Sequence, residues 1–394
     1  MSLAQFDPAD GTWDLVIVGA GPAGAATAIT LAGFGRRVLL VEERTAPRFK
    51  LGESLPPASI GIVKHFLGNI EDPSQNFPGV FRTAGNVSVW ASEQPDVTDF
   101  FFTSTGFGLC VERLAFDAAL RQRAVAAGTA LLESVRFESC VHTTTDAGFN
   151  WQLTLRSETQ TMQVRARYLV DCTGRRGAVV KALGVQPVPD NDQLFAYAQW
   201  FSCANPDEEH YTRIEAAPNG WWYSNRLPAV EGGESMRLVV FHSDKDLPAA
   251  KMAARREGFD ALLGESTHIG PLLESKGYQP CRTIRGAPAN SQRLQAFCGD
   301  AWMAVGDAAQ AYDPLSSQGI DKALRTASHA GHMIHYALSD FEEKGAGLSR
   351  NNTYIGQYSE QQQQLWQTYL TQRNYYYGMQ PRWADQPFWQ RRRG

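Results

Sequence analysis

The chain alternates between short apolar runs and longer stretches with helical spacing. Residues 14–19, DLVIVG, form an apolar run suited to a strand buried in a parallel sheet. The following AATAITLAGFG predicts a helix closing at a glycine, and RRVLLVE predicts a second buried strand ending at Glu42. SIGIVKHFLG reads as a short helix. VERLAFDAALRQRAVAAG (111–128) has the pattern of an amphipathic helix with Arg113 at its start. In 166–184, ARYLVDCTGRRGAVVKALG, an apolar strand runs into Asp171 and Gly174. FAYAQWFSC (195–203), TRIEAAP (212–218), GWWYSNRLP (220–228) and MRLVVFHS (236–243) read as strands bounded by Pro, Gly and Asn. KMAARREGFDALLG reads as a single helix. Residues 301–327, AWMAVGDAAQAYDPLSSQGIDKALRTA, predict a strand, a turn and a helix beginning near Gly319. Internal repeats are absent, and the glutamine run at 361–364 falls in a predicted C-terminal helix.

The first of these patterns carries chemistry. Gly19-Ala20-Gly21-Pro22-Ala23-Gly24 sits between a strand and a helix, with a second strand behind it. In that setting GxGxxG predicts dinucleotide binding. Gly19 permits the tight turn, Gly21 lets the backbone approach a pyrophosphate, and Gly24 lets the helix lie close to the strand. Ala23 lies in the same turn, whose free amides and helix dipole favour phosphate. Glu42, with Glu43 beside it, is placed to grip ribose hydroxyls.

A second element distinguishes FAD from NAD. Gly306-Asp307 closes an apolar strand, and a helix starts at Gln318, Gly319 and Ile320 after the turn at Pro314. This arrangement is similar to that of two-domain flavoproteins, in which the Asp bonds the ribityl chain. There the helix N-terminus faces the flavin ring edge where charge collects on reduction. Arg113 is placed to reach the phosphates, as a charged donor to anionic oxygens. Asp171 and Gly174 suit either a cofactor contact or a local turn.

Composition removes other classes. With 43% hydrophobic and 20% charged residues the chain is an ordinary globular protein able to bury a large core. A net charge of -4 gives no basic field for nucleic acid or an anionic membrane. Arg391, Arg392 and Arg393 are the sole basic run, expected as a solvated tail. Six cysteines without a CxxC pair predict neither a disulfide framework nor a metal site. MSLAQFDPADGTWD has no signal-peptide pattern, and no window approaches a membrane span. These features together predict a cytoplasmic protein.

GAGPAG, LGESLPP (51–57), the helix from Arg113, VDCTGR and GDAAQAYDPLSSQGI together resemble FAD-dependent aromatic hydroxylases, flavin halogenases and geranylgeranyl reductases. The resemblance covers nearly the whole chain. It implies an α/β fold: a Rossmann-like FAD-binding domain of the aromatic-hydroxylase type, with an inserted antiparallel-sheet substrate domain. The expected division is 1–189 for FAD, with a small part of the substrate region near 80–110. The substrate domain would span 190–290, the second FAD part with the GD pair 291–345, and a helix with an aromatic tail 346–394.

Within that superfamily LGESLPP leans toward halogenases, whose active-site lysine is expected some thirty residues beyond GES. Here GVFRTAGNVSVWAS carries Arg82 instead, and Lys64 upstream lies in a predicted helix. Arginine is a poor replacement, being planar and always protonated. The WxWxIP segment is also absent. A prenyl tunnel of the geranylgeranyl-reductase kind is neither demanded nor excluded.

GNVSVWAS, GWWYSNRLP, DPLSSQGIDKAL and RNYYYGMQPRWADQPFWQRR resemble more closely the flavoproteins that mature quinone-containing amine and amino-acid oxidases. These hydroxylate a tryptophan side chain of a partner oxidase precursor on the way to cysteine tryptophylquinone. One departure is Leu109-Cys110-Val111-Glu112, where an aromatic and an Asp would be expected before Arg113. The resemblance implies an FAD-dependent monooxygenase acting through a flavin C4a-hydroperoxide. NAD(P)H or a separate flavin reductase would supply electrons, since no second GxGxxG is present. Pro314, Gly319, Trp221, Trp222 and Tyr223 are the expected site-lining residues, with His242 as candidate proton donor. For Trp222, Tyr223 and His242 a purely packing role stands beside the functional one. The aromatic C-terminus (Trp366, Tyr369, Tyr375, Tyr376, Tyr377, Trp383, Phe388 and Trp389) suits either cover for apolar surface or, with Arg373 and Arg382, a docking face. A flavin-bearing partner without catalysis is the further alternative.

Overall fold

The computed structural model describes residues 12–44, 50–71, 77, 79–102, 106–143, 151–188, 192–228 and 233–393. Of the N-terminal stretch read for a targeting signal, all but the last three residues lie outside them.

The first sheet is built around five parallel strands: Trp302–Ala304, Thr161–Asp171, Thr12–Val18, Val38–Glu42 and Ala130–Glu133, in that spatial order. Cys298–Gly299 closes one edge, while Trp151–Arg156 and Arg136–His142 extend Thr161–Asp171 antiparallel. Leu15, Val16, Ile17, Leu39 and Leu40 are fully buried, as continuous apolar strands require when both faces are covered. Helix Pro22–Gly33 packs against helix Gly319–Lys344 so closely that a Cβ on Gly331 would lie 2.7 Å from Thr30 Cγ2. Every parallel strand ends on the same side, so Gly19, Glu43, Cys172 and Val305 meet at one crevice. The fold is the α/β arrangement expected.

A second sheet runs Gln279–Pro280, Leu194–Cys203, Ser235–Asp244, Gly220–Leu227, Tyr211–Ala217, Gly85–Val89, Asp96–Asp99, with Arg285–Pro288 also pairing Leu194–Cys203. Its pairs are antiparallel with one difference from expectation: Tyr211–Ala217 pairs parallel with Gly85–Val89. Along Gly220–Leu227 the side chains alternate faces. Trp222 joins Phe241 and Phe259 under the helices on one side, and Trp221 joins Trp90, Tyr377 and Trp389 on the other.

Two further expectations are corrected. KMAARREGFDALLG does not form a single helix: Pro248–Ala253 and Arg256–Gly264 are separate, with Arg255 extended between them. Gly258 sits so close to the first helix that a Cβ there would lie 2.4 Å from Met252 O. Nor is the terminal arginine run solvated throughout: Arg391 and Arg393 are exposed, but Arg392 is buried. Arg392 is 6% exposed and bonds Asp244 at 2.5 Å and Asp192 at 3.1 Å, while Arg391 pairs with Asp244 and Asp246. The buried carboxylates of the second sheet draw the tail inward, since a charge out of water needs a partner. Helix Thr353–Gly378 carries the chain there, packing Ile355 and Tyr358 on the first core and Tyr377 on the second.

A Cβ on Gly24 would lie 1.8 Å from Gly19 O, whereas at Gly33 no described protein atom lies within 4 Å. Gly24→Ala is therefore expected to destabilise the fold by about 2 kcal/mol or more through overpacking. Gly33→Ala is expected to be neutral or mildly stabilising. Urea denaturation followed by circular dichroism checks the contrast.

Candidate active site

The crevice opens into a cavity of about 650 Å³ between the two sheets. Gly19, Gly21, Pro22 and Ala23 line it together with Glu42 and Glu43, and with Asp307, Pro314, Gly319 and Ile320. Ala196, Trp221, Tyr223, Leu238, Val240 and His242 form the wall contributed by the second sheet.

Gly19 has φ +97°, and a Cβ there would lie 2.4 Å from Cys172 O, so the strand-to-helix turn requires glycine. Gly21 caps helix Pro22–Gly33 without a side-chain bond, and no described protein atom lies within 4 Å of where its Cβ would stand. Glu42 accepts from Ala20 N at 2.8 Å and from Arg44 N at 3.2 Å, which holds its carboxylate at the cavity edge. Glu43 pairs with Arg176 across the mouth. Gly174 lines the cavity beside Arg175. Asp307 faces the cavity and bonds Lys322 Nζ at 2.7 Å, with Arg175 at 4.0 Å. Burial pushes the Asp307 carboxyl up, but Lys322 and Arg175 outweigh it and hold it below the usual range.

Several candidates sit elsewhere. Asp171 is fully buried and accepts from Thr173 N, Thr173 Oγ1, Val179 N and Val180 N at 2.7 to 2.9 Å. It is a turn and helix anchor, with no acceptor left over for a cofactor. Gly24 and Gly306 act by packing: a Cβ on Gly306, at φ +66°, would lie 2.7 Å from Ala23 Cβ. Gln318 does not line the cavity, and its carbonyl accepts from Lys322 N at 2.8 Å. Trp222 belongs to the opposite face of its strand and touches no part of the cavity. Arg113 does line it, but its guanidinium is engaged by Leu51 O and by Asp117 Oδ1 at 3.3 Å, so it fixes the LGES segment.

That segment supplies a residue the motif reading passed over. Glu53 is 4% exposed, lines the cavity, and accepts from Tyr223 OH at 2.6 Å and Gly52 N at 3.1 Å. Burial and then the Glu53 charge raise Tyr223 well above the ordinary tyrosine range, so it stays a neutral donor. GESLPP itself was the available signal. Lys322 was also missed, although a lysine among the apolar positions 320, 323, 324 and 327 of a helix marks a buried charge needing a partner.

His242 stacks on Trp221 at 3.7 Å between ring centroids and 12° between planes. Among the described residues its Nδ1 has no hydrogen-bond partner. Burial pushes its pKa down to about 3, so it is a neutral imidazole near pH 7. A protonated His242 is thereby removed as the acid, and the Tyr223 hydroxyl, donating to Glu53, is the proton donor left on that wall.

The residues present fit FAD: a glycine turn open to the cavity, a helix N-terminus without a side-chain cap, Glu42 at the strand end, and Asp307 before a second helix N-terminus. Fold and site together define a dinucleotide-binding flavoprotein of the two-domain kind. Residues 106–349 match the FAD binding domain family and residues 14–194 the FAD dependent oxidoreductase family, and the chain belongs to the former. It is an FAD-dependent oxidoreductase. Over 391 residues it is 28% identical to a protein of Marinomonas mediterranea described as an FAD-dependent oxidoreductase, LodB, covering 97% of each chain. Among solved structures it resembles CmlS, a flavin-dependent halogenase, with a TM-score of 0.77 and 24% identity over 96% of this chain and 67% of that one. It also resembles the peptidyl tryptophan dihydroxylase QhpG, with a TM-score of 0.71 and 24% identity over 97% of this chain and 79% of that one. Among the described residues no helix is long and apolar enough to cross a membrane, and no cluster of side chains could hold a metal ion.

Gly21→Leu is expected to abolish FAD binding while leaving the circular dichroism spectrum and melting temperature near wild type, which a flavin fluorescence titration checks. His242 gives a pH signature. Its folded pKa lies below its unfolded one, so the unfolded chain binds the extra proton between about pH 6.5 and 3. Its contribution is lost as pH falls through that window, by about 1.4 kcal/mol per pH unit. Urea midpoints measured from pH 7 to 4 should fall less steeply in His242→Gln than in wild type.

Proposed function

We propose that this chain is an FAD-dependent monooxygenase that hydroxylates an electron-rich aromatic ring, a tryptophan side chain carried by a partner oxidase precursor during tryptophylquinone biogenesis. The observation that carries the reading is the cavity wall, where the Trp221–His242 stack lies beside the buried Tyr223–Glu53 pair. The QhpG likeness, with that protein's role in tryptophylquinone cofactor biogenesis, supports the same substrate class.

Reduced FAD, when bound, supplies dioxygen activation and an electrophilic oxygen. The chain's own residues do the rest. Ala196, Leu238 and Val240 keep water from the substrate side, and the rigid Trp221–His242 stack behind them fixes the shape of the wall against which the indole packs. Once oxygen is added to a ring carbon, that carbon must lose its hydrogen as a proton to regain aromaticity. Glu53 takes it, with Tyr223 donating to the same carboxylate and holding it in place. Electrons come from NAD(P)H or a separate flavin reductase.

A halogenating reading draws on the fold likeness to CmlS. Against it, Arg82 is 64% exposed, pairs with Glu71 and does not line the cavity. The lysine that does line it, Lys50, is paired with Asp117.

The test supplies FAD, a flavin reductase, oxygen and bromide with a tryptophan-containing peptide and the candidate oxidase precursor, with products read by mass spectrometry. Oxygen added to tryptophan supports the proposal, while a brominated product replaces it with halogenation. Peroxide alone, with the precursor present, ends it. In the active system Glu53→Gln is expected to slow turnover about 100-fold with FAD binding retained.

A further inference from the structure

The C-terminal segment reaches the cavity from behind. Tyr377, in the last turn of helix Thr353–Gly378, is fully buried and does not line the cavity. Its hydroxyl nevertheless joins both of the cavity's walls. It accepts from Trp221 Nε1 at 3.0 Å, and it donates to Asp313 Oδ2 at 2.7 Å. Trp221 belongs to the substrate wall. Asp313 begins the 313–319 loop that feeds the second helix N-terminus at the cofactor end, and its other oxygen accepts from Leu315 N at 2.9 Å to cap the turn Pro314–Ser316. About two turns earlier in the same helix, Tyr369 OH accepts from Asp313 N at 2.9 Å. The loop also contains Ser317 at φ +51°, a conformation a serine adopts only when its surroundings impose it.

The bond network therefore runs from the substrate wall through one hydroxyl to the loop at the cofactor end. We propose that Tyr377 is a positioning residue that couples Trp221 to the flavin-holding loop, so that what presses on the substrate wall is felt at the flavin. This rests on the FAD reading of the site and is independent of which ring is oxidised. A hydroxyl shared between an indole N–H and a buried carboxylate is directional, and moving either partner changes the geometry offered to the other. The surrounding aromatic rings of Trp90, Phe388 and Trp389 hold the Tyr377 ring itself in place, which separates the role of the ring from that of the hydroxyl.

The experiment is a double-mutant cycle on the full chain with Tyr377→Phe and Trp221→Phe, reading the FAD dissociation constant and the midpoint potential of the bound flavin. Loss of a buried bond to a carboxylate predicts FAD binding about tenfold weaker in Tyr377→Phe, with a shifted potential and a lowered melting temperature, of which the potential is the readout a merely structural role would not move. Once that link is cut, adding Trp221→Phe should weaken binding by no more than about twofold beyond Tyr377→Phe alone. The proposal is overturned if Tyr377→Phe binds FAD with wild-type affinity and potential, or if the two losses simply multiply. Should Tyr377→Phe not fold, Asp313→Asn takes its place in the cycle, and multiplying losses there are equally fatal. Failure of the oxygenation assay with this coupling intact would leave the inference standing, so the two readings fail separately.

Discussion

The contact between Gly24 and the carbonyl of Gly19 governs the rest of the molecule. With no room for a side chain, helix Pro22–Gly33 starts against the strand end, and its first amides open onto the crevice. The parallel sheet then brings Glu42, Gly174 and Asp307 to the same edge, because parallel strands deliver their carboxyl ends to one side. The second helix, Gly319–Lys344, is held against the first by an equally close approach at Gly331. A cavity lined by two helix N-termini follows from two glycine contacts.

The substrate side obeys a different rule. A strand alternates its faces, so neighbouring tryptophans serve different masters. Trp222 goes into the packed core and Trp221 to the cavity, where its ring stacks on His242. Charge on this side is confined. Glu53 is tied to Tyr223, while Asp307, after the first sheet's Trp302–Ala304 strand, is held by Lys322 and Arg175.

How much of this the sequence revealed depends on the range of the interaction. The glycine turn, the GD pair and the strands of the second sheet were legible because each is set by its own neighbours in the chain. Asp171 was ambiguous because the donors that claim it arrive up to nine residues later, in a short helix without a strong pattern of its own. The choice between Trp221 and Trp222 needed the register of the sheet, which adjacent positions of equal hydrophobicity do not betray. Arg392 looked like a solvated end because Asp192 and Asp244, its partners, lie 200 and 148 residues away. Glu53 was visible in a motif but had no assigned chemistry until Tyr223 was placed beside it.

The inward-drawn tail also bears on how the chain is made. Asp192 and Asp244 are synthesised long before Arg392, and the Trp221 wall is complete only when Tyr377, Phe388 and Trp389 close over it. Until residues 377–392 dock, the Arg392 contacts to Asp192 and Asp244 and the aromatic cover over Trp221 are not made. Contacts of such long sequence separation are slow to form. The Gly19–Gly24 contact is local, whereas the Trp221 wall needs Tyr377, 156 residues further along the chain.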